Sequence, residues 1–108
     1  LVLPSKTESF GMVILDAWAQ ATPTIAWDLP VFRSIVDDGD NALLADPNGE
    51  TKALARAIDR LLSAPDEAAL MGRAGYRKAI SSYSWAHVAS VYLNAYNYAV
   101  SHAKTRLV

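Results

Sequence analysis

The sequence predicts an α/β fold with a parallel sheet, and three observations predict it. Short apolar, β-branched runs alternate with helical periodicities through the first half of the chain. Those runs are apolar throughout rather than alternating, as strands covered on both faces are. The second half is helical almost without interruption. About three strands can be counted, where a doubly wound domain has about six in two halves. The expected architecture is therefore the second half of a doubly wound domain, with helices closing its C-terminal end.

The elements follow in order. Leu1-Val2-Leu3-Pro4 reads as a short buried strand ending at a Pro-Ser turn. Ser5 to Phe10 is a loop. Gly11 to about Ala21 reads as a helix, with Val13, Ile14, Ala17, Trp18 and Ala21 at helical spacing. Pro23 to Ala26 is a second strand, its β-branched residues suited to a sheet interior. Asp28 to Asp37 is a loop with a helical turn around Phe32 to Val36. Asp38-Gly39-Asp40-Asn41 is turn chemistry. Ala42 to Ala45 is a third strand. Residues 51–63 carry Leu54, Ala57, Ile58, Leu61 and Leu62 on one stripe. Pro65 opens another helix, where its missing N–H costs nothing. That helix runs to about Ile80 with Leu70, Met71, Ala74 and Ile80 inward, and Gly72 and Gly75 should weaken it. Ser84 caps a last helix, on which Trp85, Val88, Tyr92, Ala95, Tyr96 and Ala99 share an inward face. The tail from Lys104 to Val108 is expected to fray.

Composition narrows the function classes. The chain has 108 residues, enough for one small domain. Its net charge is −1, so no basic field exists to hold a nucleic-acid backbone. It has no Cys, which excludes thiolate chemistry and Cys-ligated zinc. No apolar run approaches the ~20 residues of a membrane span. The only histidines, His87 and His102, lie far along the chain from any acid cluster, so a metal site is not expected. Ser5 and Ser9 have no His-Asp partners nearby, which argues against a nucleophilic triad. Trp18 is expected in the core. Trp27, on a loop after a strand, fits core and site about equally. The basic patch Arg73, Arg77, Lys78 reads as a solvated helix face.

The informative stretch is residues 1–26. The loop from Ser5 to Phe10 leaves the carboxyl end of a strand and enters a helix at Gly11, the place where open α/β sheets bind ligands. The free N–H groups of Gly11, Met12 and Val13 form an anion site. Glu8 precedes that turn, and Asp16 follows it by about one and a half helical turns. A carboxylate suits vicinal hydroxyls, as in ribose recognition. An anion cradle between two hydroxyl readers has the layout of a nucleotide-diphosphate sugar. Spacing alone fits equally well a plainer reading, in which both acids solvate a helix start.

The motif P-S-x-x-E-S-F-G-x-V-x-L-D-A-x-A-x-x-x-P-x-I-A resembles the donor-site signature of retaining GT-B glycosyltransferases of group 1 (family 4-like). The segment S-I-V-D-D-G-D-N-A-L-L-A-D-P-N-G and the Tyr83-Ser84-Trp85 step extend the resemblance over nearly the whole chain. The resemblance implies a Rossmann-like GT-B C-terminal domain, of which residues 1–108 would be a part, with the acceptor domain and the upstream half of the donor domain outside it. It implies transfer of a hexose from a UDP-, GDP- or ADP-sugar to an acceptor hydroxyl with retention of configuration, without metal or other cofactor, in polysaccharide or glycolipid synthesis. Glu8 would be the first, catalytic carboxylate of the family's E-x(7)-E pair, contacting the donor sugar's hydroxyls. Asp16 would take the second place of that pair, usually Glu, and hold the ribose. Ser9, Phe10 and Gly11 would shape the sugar-phosphate turn, and the N–H groups of Gly11, Met12 and Val13 would hold the diphosphate. Ala21 stands where the family commonly has Gly. The expected location is cytoplasmic, with the inner membrane face as the peripheral variant. The alternative is a truncated, non-catalytic module that oligomerises through the bare sheet edge at Leu1 to Pro4, which also makes a homodimer the expected assembly.

Overall fold

The computed structural model describes residues 1–106, with side chains through Ala103. Three parallel strands form one sheet in the order β1-β2-β3: β1 is Val2–Leu3, β2 is Ile25–Trp27 and β3 is Leu43–Ala45. Val2 pairs with Ile25 and Leu3 with Ala26; Ile25, Ala26 and Trp27 pair with Leu43, Leu44 and Ala45. The helices are α1 (Met12–Ala19), α2 (Pro30–Arg33), α3 (Glu50–Ser63), α4 (Pro65–Tyr83) and α5 (Trp85–Arg106). This is the α/β class expected, a three-stranded parallel sheet with helices, as in one half of a doubly wound domain. Two elements shift. Trp27 belongs to β2 rather than to a following loop, and α2 forms at Pro30–Arg33, earlier than Phe32 to Val36, because Pro30 sits at its first turn.

Strand alternation divides the core into two faces. Ala26 faces a cluster with Ile14 and Trp18 of α1, Phe32, Ile35, Val36 and Ala42. Ile25 and Leu43 face Leu61 of α3 and Met71 of α4, while Trp27 and Ala45 pack against Ala53. Ile14 and Phe32 are completely buried, each worth about 2 kcal/mol in transfer terms. A polar hub centred on the buried Asn41 joins the layers. Trp18 donates its indole N–H to the Asn41 carbonyl at 3.0 Å. The Asn41 side chain accepts from the Asp37 N–H at 2.9 Å and donates to its carboxylate at 2.8 Å. Lys78 of α4 reaches the same carboxylate at 2.6 Å. Those bonds, Lys78 foremost, hold the Asp37 carboxyl below its ordinary value.

Several inward assignments are corrected. Val13, Leu62, Leu70 and Ile80 are exposed. Gly72 and Gly75 do not merely weaken α4: they are buried notches against α1. A Cβ on Gly72 would stand 1.9 Å from the Ala21 carbonyl oxygen, and one on Gly75 would stand 2.3 Å from Trp18. The inward face expected on α5 is also exposed, Trp85 at 87% and Tyr96 at 68%. Only the first turns of α5 lie over α1 and α4; beyond Tyr92 nothing among the described residues covers the helix. Ser84 caps α5 as expected, its hydroxyl accepting from the His87 N–H at 3.2 Å. Lys104 to Arg106 continue the helix, and the rest of the expected fraying, at Leu107 and Val108, lies outside the described residues. No helix among the described residues is long and apolar enough to cross a membrane.

Candidate functional site

The loop from Pro4 to Phe10 leaves the carboxyl end of β1 and enters α1. Gly11 makes that entry possible, for two independent reasons. Its φ is +89°, a conformation that a side chain disfavours. A Cβ there would also stand 2.9 Å from the Phe32 ring. The buried Phe32 is thus a floor beneath the turn, a role its sequence context did not signal.

The helix opens without a side-chain cap and with no acid in its first turn. The Ile14 N–H turns back to the Gly11 carbonyl at 2.9 Å. The N–H groups of Met12 and Val13 have no intrahelical acceptors, and their side chains are exposed, so that end of the helix is open to an anion. Glu8 is half-buried in the loop, and Ser9 beside it is exposed. Phe10 packs edge-on against Tyr83 of α4, ring centroids 5.8 Å apart.

Asp16 is exposed on the outer side of α1, one turn beyond Met12. A groove of about 730 Å³ runs between α1 and the α4–α5 elbow. Phe10, Met12 and Asp16 all border it, with Tyr83, Trp85 and Tyr92 opposite. Glu8, Ser9, Gly11 and Val13 do not line this groove. The expected residues therefore lie around one turn, and three of them share one concavity.

The neighbouring crossover contributes residues that sequence spacing did not single out. Arg33 grips Asp28 in a two-pronged pair, Nε to Oδ1 at 2.5 Å and an η nitrogen to Oδ2 at 2.8 Å. The hydrogen bond from Arg33 holds the Asp28 carboxyl below its ordinary value. Their separation of five residues was visible; the α2 turn that brings them together was not. Trp27 is buried, and its indole N–H donates to the Pro4 carbonyl at 3.0 Å, at the start of the Glu8 loop. His87 and His102 lie on α5, away from this turn. Among the described residues, no group of three or more His, Asp or Glu side chains converges as a metal site would.

Residues 1–78 match the family described as glycosyl transferases group 1. The chain is 37% identical over 100 residues to alpha-maltose-1-phosphate synthase of Mycolicibacterium smegmatis, covering 88% of this chain and 26% of that protein. It is 36% identical over 106 residues to D-inositol 3-phosphate glycosyltransferase of Streptomyces griseus, covering 98% of this chain and 22% of that protein. Among solved structures, sucrose-phosphate synthase from Thermosynechococcus elongatus superposes with a TM-score of 0.84 at 31% identity, over 94% of this chain and 25% of that one. Anabaena HepE, solved in complex with UDP and glucose, superposes with a TM-score of 0.66 at 28% identity, over 75% of this chain and 22% of that one. The chain spans about a quarter of the length of these relatives. With a family match over residues 1–78 and relatives above 30% identical over most of its length, the chain belongs to the glycosyl transferases group 1 family.

Proposed function

We propose that this chain is the donor-binding part of a retaining glycosyltransferase, moving a hexose from a nucleotide-diphosphate sugar to an acceptor hydroxyl. The observation that carries the reading is the uncapped start of α1, entered through Gly11, with Glu8 before it and Asp16 on the helix after it. That arrangement suits a diphosphate between a sugar and a ribose. The structural neighbour solved with UDP and glucose supports the same ligand class.

In this reading the bond from the anomeric carbon to the diphosphate breaks, and negative charge gathers on the leaving oxygens. The Met12 and Val13 N–H groups and the α1 dipole point at that charge, where fixed dipoles favour the transition state most. Glu8 is the catalytic carboxylate, accepting hydrogen bonds from hydroxyls of the sugar, with Ser9 and Phe10 shaping the loop around them. Asp16 takes the ribose hydroxyls. The acceptor site and the remaining donor contacts belong to parts of a longer enzyme, consistent with relatives about four times this length.

The test is Glu8→Ala in the enzyme that contains this chain. Transfer should fall on the order of a hundredfold or more, the scale of losing a group that acts on the transition state. Near-normal transfer would remove Glu8 from this role.

A further inference from the structure

The loop that carries Glu8 is held at its start by a single side chain from another strand. The ladder between β1 and β2 ends at Leu3 and Ala26. Pro4 comes next and has no N–H with which to extend it. Its carbonyl instead accepts from the Trp27 indole N–H at 3.0 Å. Among the described residues, no other side-chain or loop hydrogen bond reaches the segment from Pro4 to Ser9. The far end of the loop is fixed by packing, Phe10 on Tyr83 and Gly11 over Phe32. Glu8 therefore lies between a packed end and an end hung on one bond.

Trp27 is built to hold that bond still. It is 5% exposed, sits in the central strand and packs against Ala45 and Ala53. An indole N–H so buried needs an acceptor, and Pro4 supplies it. We propose that Trp27 is a positioning residue for Glu8: through Pro4 it sets where the loop carries that carboxylate, and so governs recognition of the donor's sugar rather than of its nucleotide. This rests on the reading of Glu8 given above. The nucleotide contacts assigned to Met12, Val13 and Asp16 sit on α1, which does not depend on the Trp27 bond.

The test is Trp27→Phe, which keeps an aromatic ring in the core and removes the N–H. Backbone NMR order parameters of the chain are read first, because they need no ligand. Those of residues 5–10 should fall by about 0.2, from the rigid toward the flexible range, while those of α3 and α4 change by less than about 0.05. Unchanged loop order overturns the proposal, and a uniform fall throughout the chain overturns it too, since that marks a purely structural role. Titration of the intact enzyme with UDP and with UDP-glucose, repeated with the GDP and ADP pairs if UDP does not bind, is read second. The affinity gained from the sugar should fall about tenfold in Trp27→Phe, with nucleoside diphosphate affinity unchanged. Glu8→Ala separates the two claims. If it leaves the sugar's contribution intact, the reading of Glu8 fails and the loop order parameters alone decide whether Trp27 positions the loop. If Glu8→Ala removes that contribution and Trp27→Phe does not, the proposal for Trp27 fails alone.

Discussion

Ala21 has a φ of +50° and ends α1 in the left-handed conformation. Its N–H bonds the Trp18 carbonyl at 2.9 Å, and the Thr22 N–H bonds that of Ala17 at 2.9 Å, the paired bonds of a Schellman ending. Glycine is the usual residue at such a position, and the departure from the family pattern at Ala21 was legible in the sequence. The left-handed backbone behind it was not, because it arises from the helix ending as a unit. The Ala21 methyl is exposed, so replacing it removes little packing. Ala21→Gly is therefore predicted to stabilise the chain by about 1 kcal/mol, the left-handed penalty of a Cβ less the entropy of glycine. Thermal denaturation should show a rise of about 5 °C. Asn41 teaches the opposite lesson. Beside Gly39 and Asp40 it reads as a solvated turn residue, yet it is 1% exposed and bonded through both side-chain polar groups and its carbonyl. Turn propensity reports what a residue can do locally, and says nothing about whether a helix arrives from elsewhere to cover it.

Among the elements, the packing of α1 on α4 shows where pattern reading stops. The periodicity placed Ile14 and Trp18 inward, and both are completely buried. Helix propensity then marked Gly72 and Gly75 as weak points, whereas the contact requires them. Propensity counts a glycine's cost within its own helix; its benefit appears only when a second backbone or an indole occupies the missing side chain's space. Gly75→Ala would place a methyl against Trp18, whose ring cannot swing aside without breaking its bond to Asn41. Overpacking of roughly 3 kcal/mol exceeds the ~1 kcal/mol gained in helix propensity, so a net loss of about 2 kcal/mol is predicted. Urea denaturation would measure it, and a stabilised Gly75→Ala would refute this account of the interface. α5 follows the same logic. Its apolar positions were readable at helical spacing, but periodicity names a face and not what covers it.

At the scale of the whole molecule, the chain extends 65 × 28 × 17 Å because the 22-residue α5 projects beyond the α/β layers. The candidate site lies at the other kind of boundary, the carboxyl ends of the strands. Much of it was legible: the E-S-F-G turn, Asp16 on the helix and the order of strands around them are local sequence features. What supports them was not. Phe32 beneath Gly11, Trp27 on Pro4 and the groove between α1 and α5 all depend on contacts between segments about twenty or more residues apart, which no spacing within the motif encodes. The central claim is that α1 and its entry loop form a nucleotide-sugar half-site. The most direct measurement is calorimetric titration of the enzyme that contains this chain with UDP, GDP, ADP and their sugar conjugates, repeated on Asp16→Ala. The account predicts saturable binding of one nucleotide family, weakened at least about tenfold by Asp16→Ala, the scale of losing a charged hydrogen-bonding group. Binding that Asp16→Ala leaves unchanged, or no saturable binding of any of them, would contradict it.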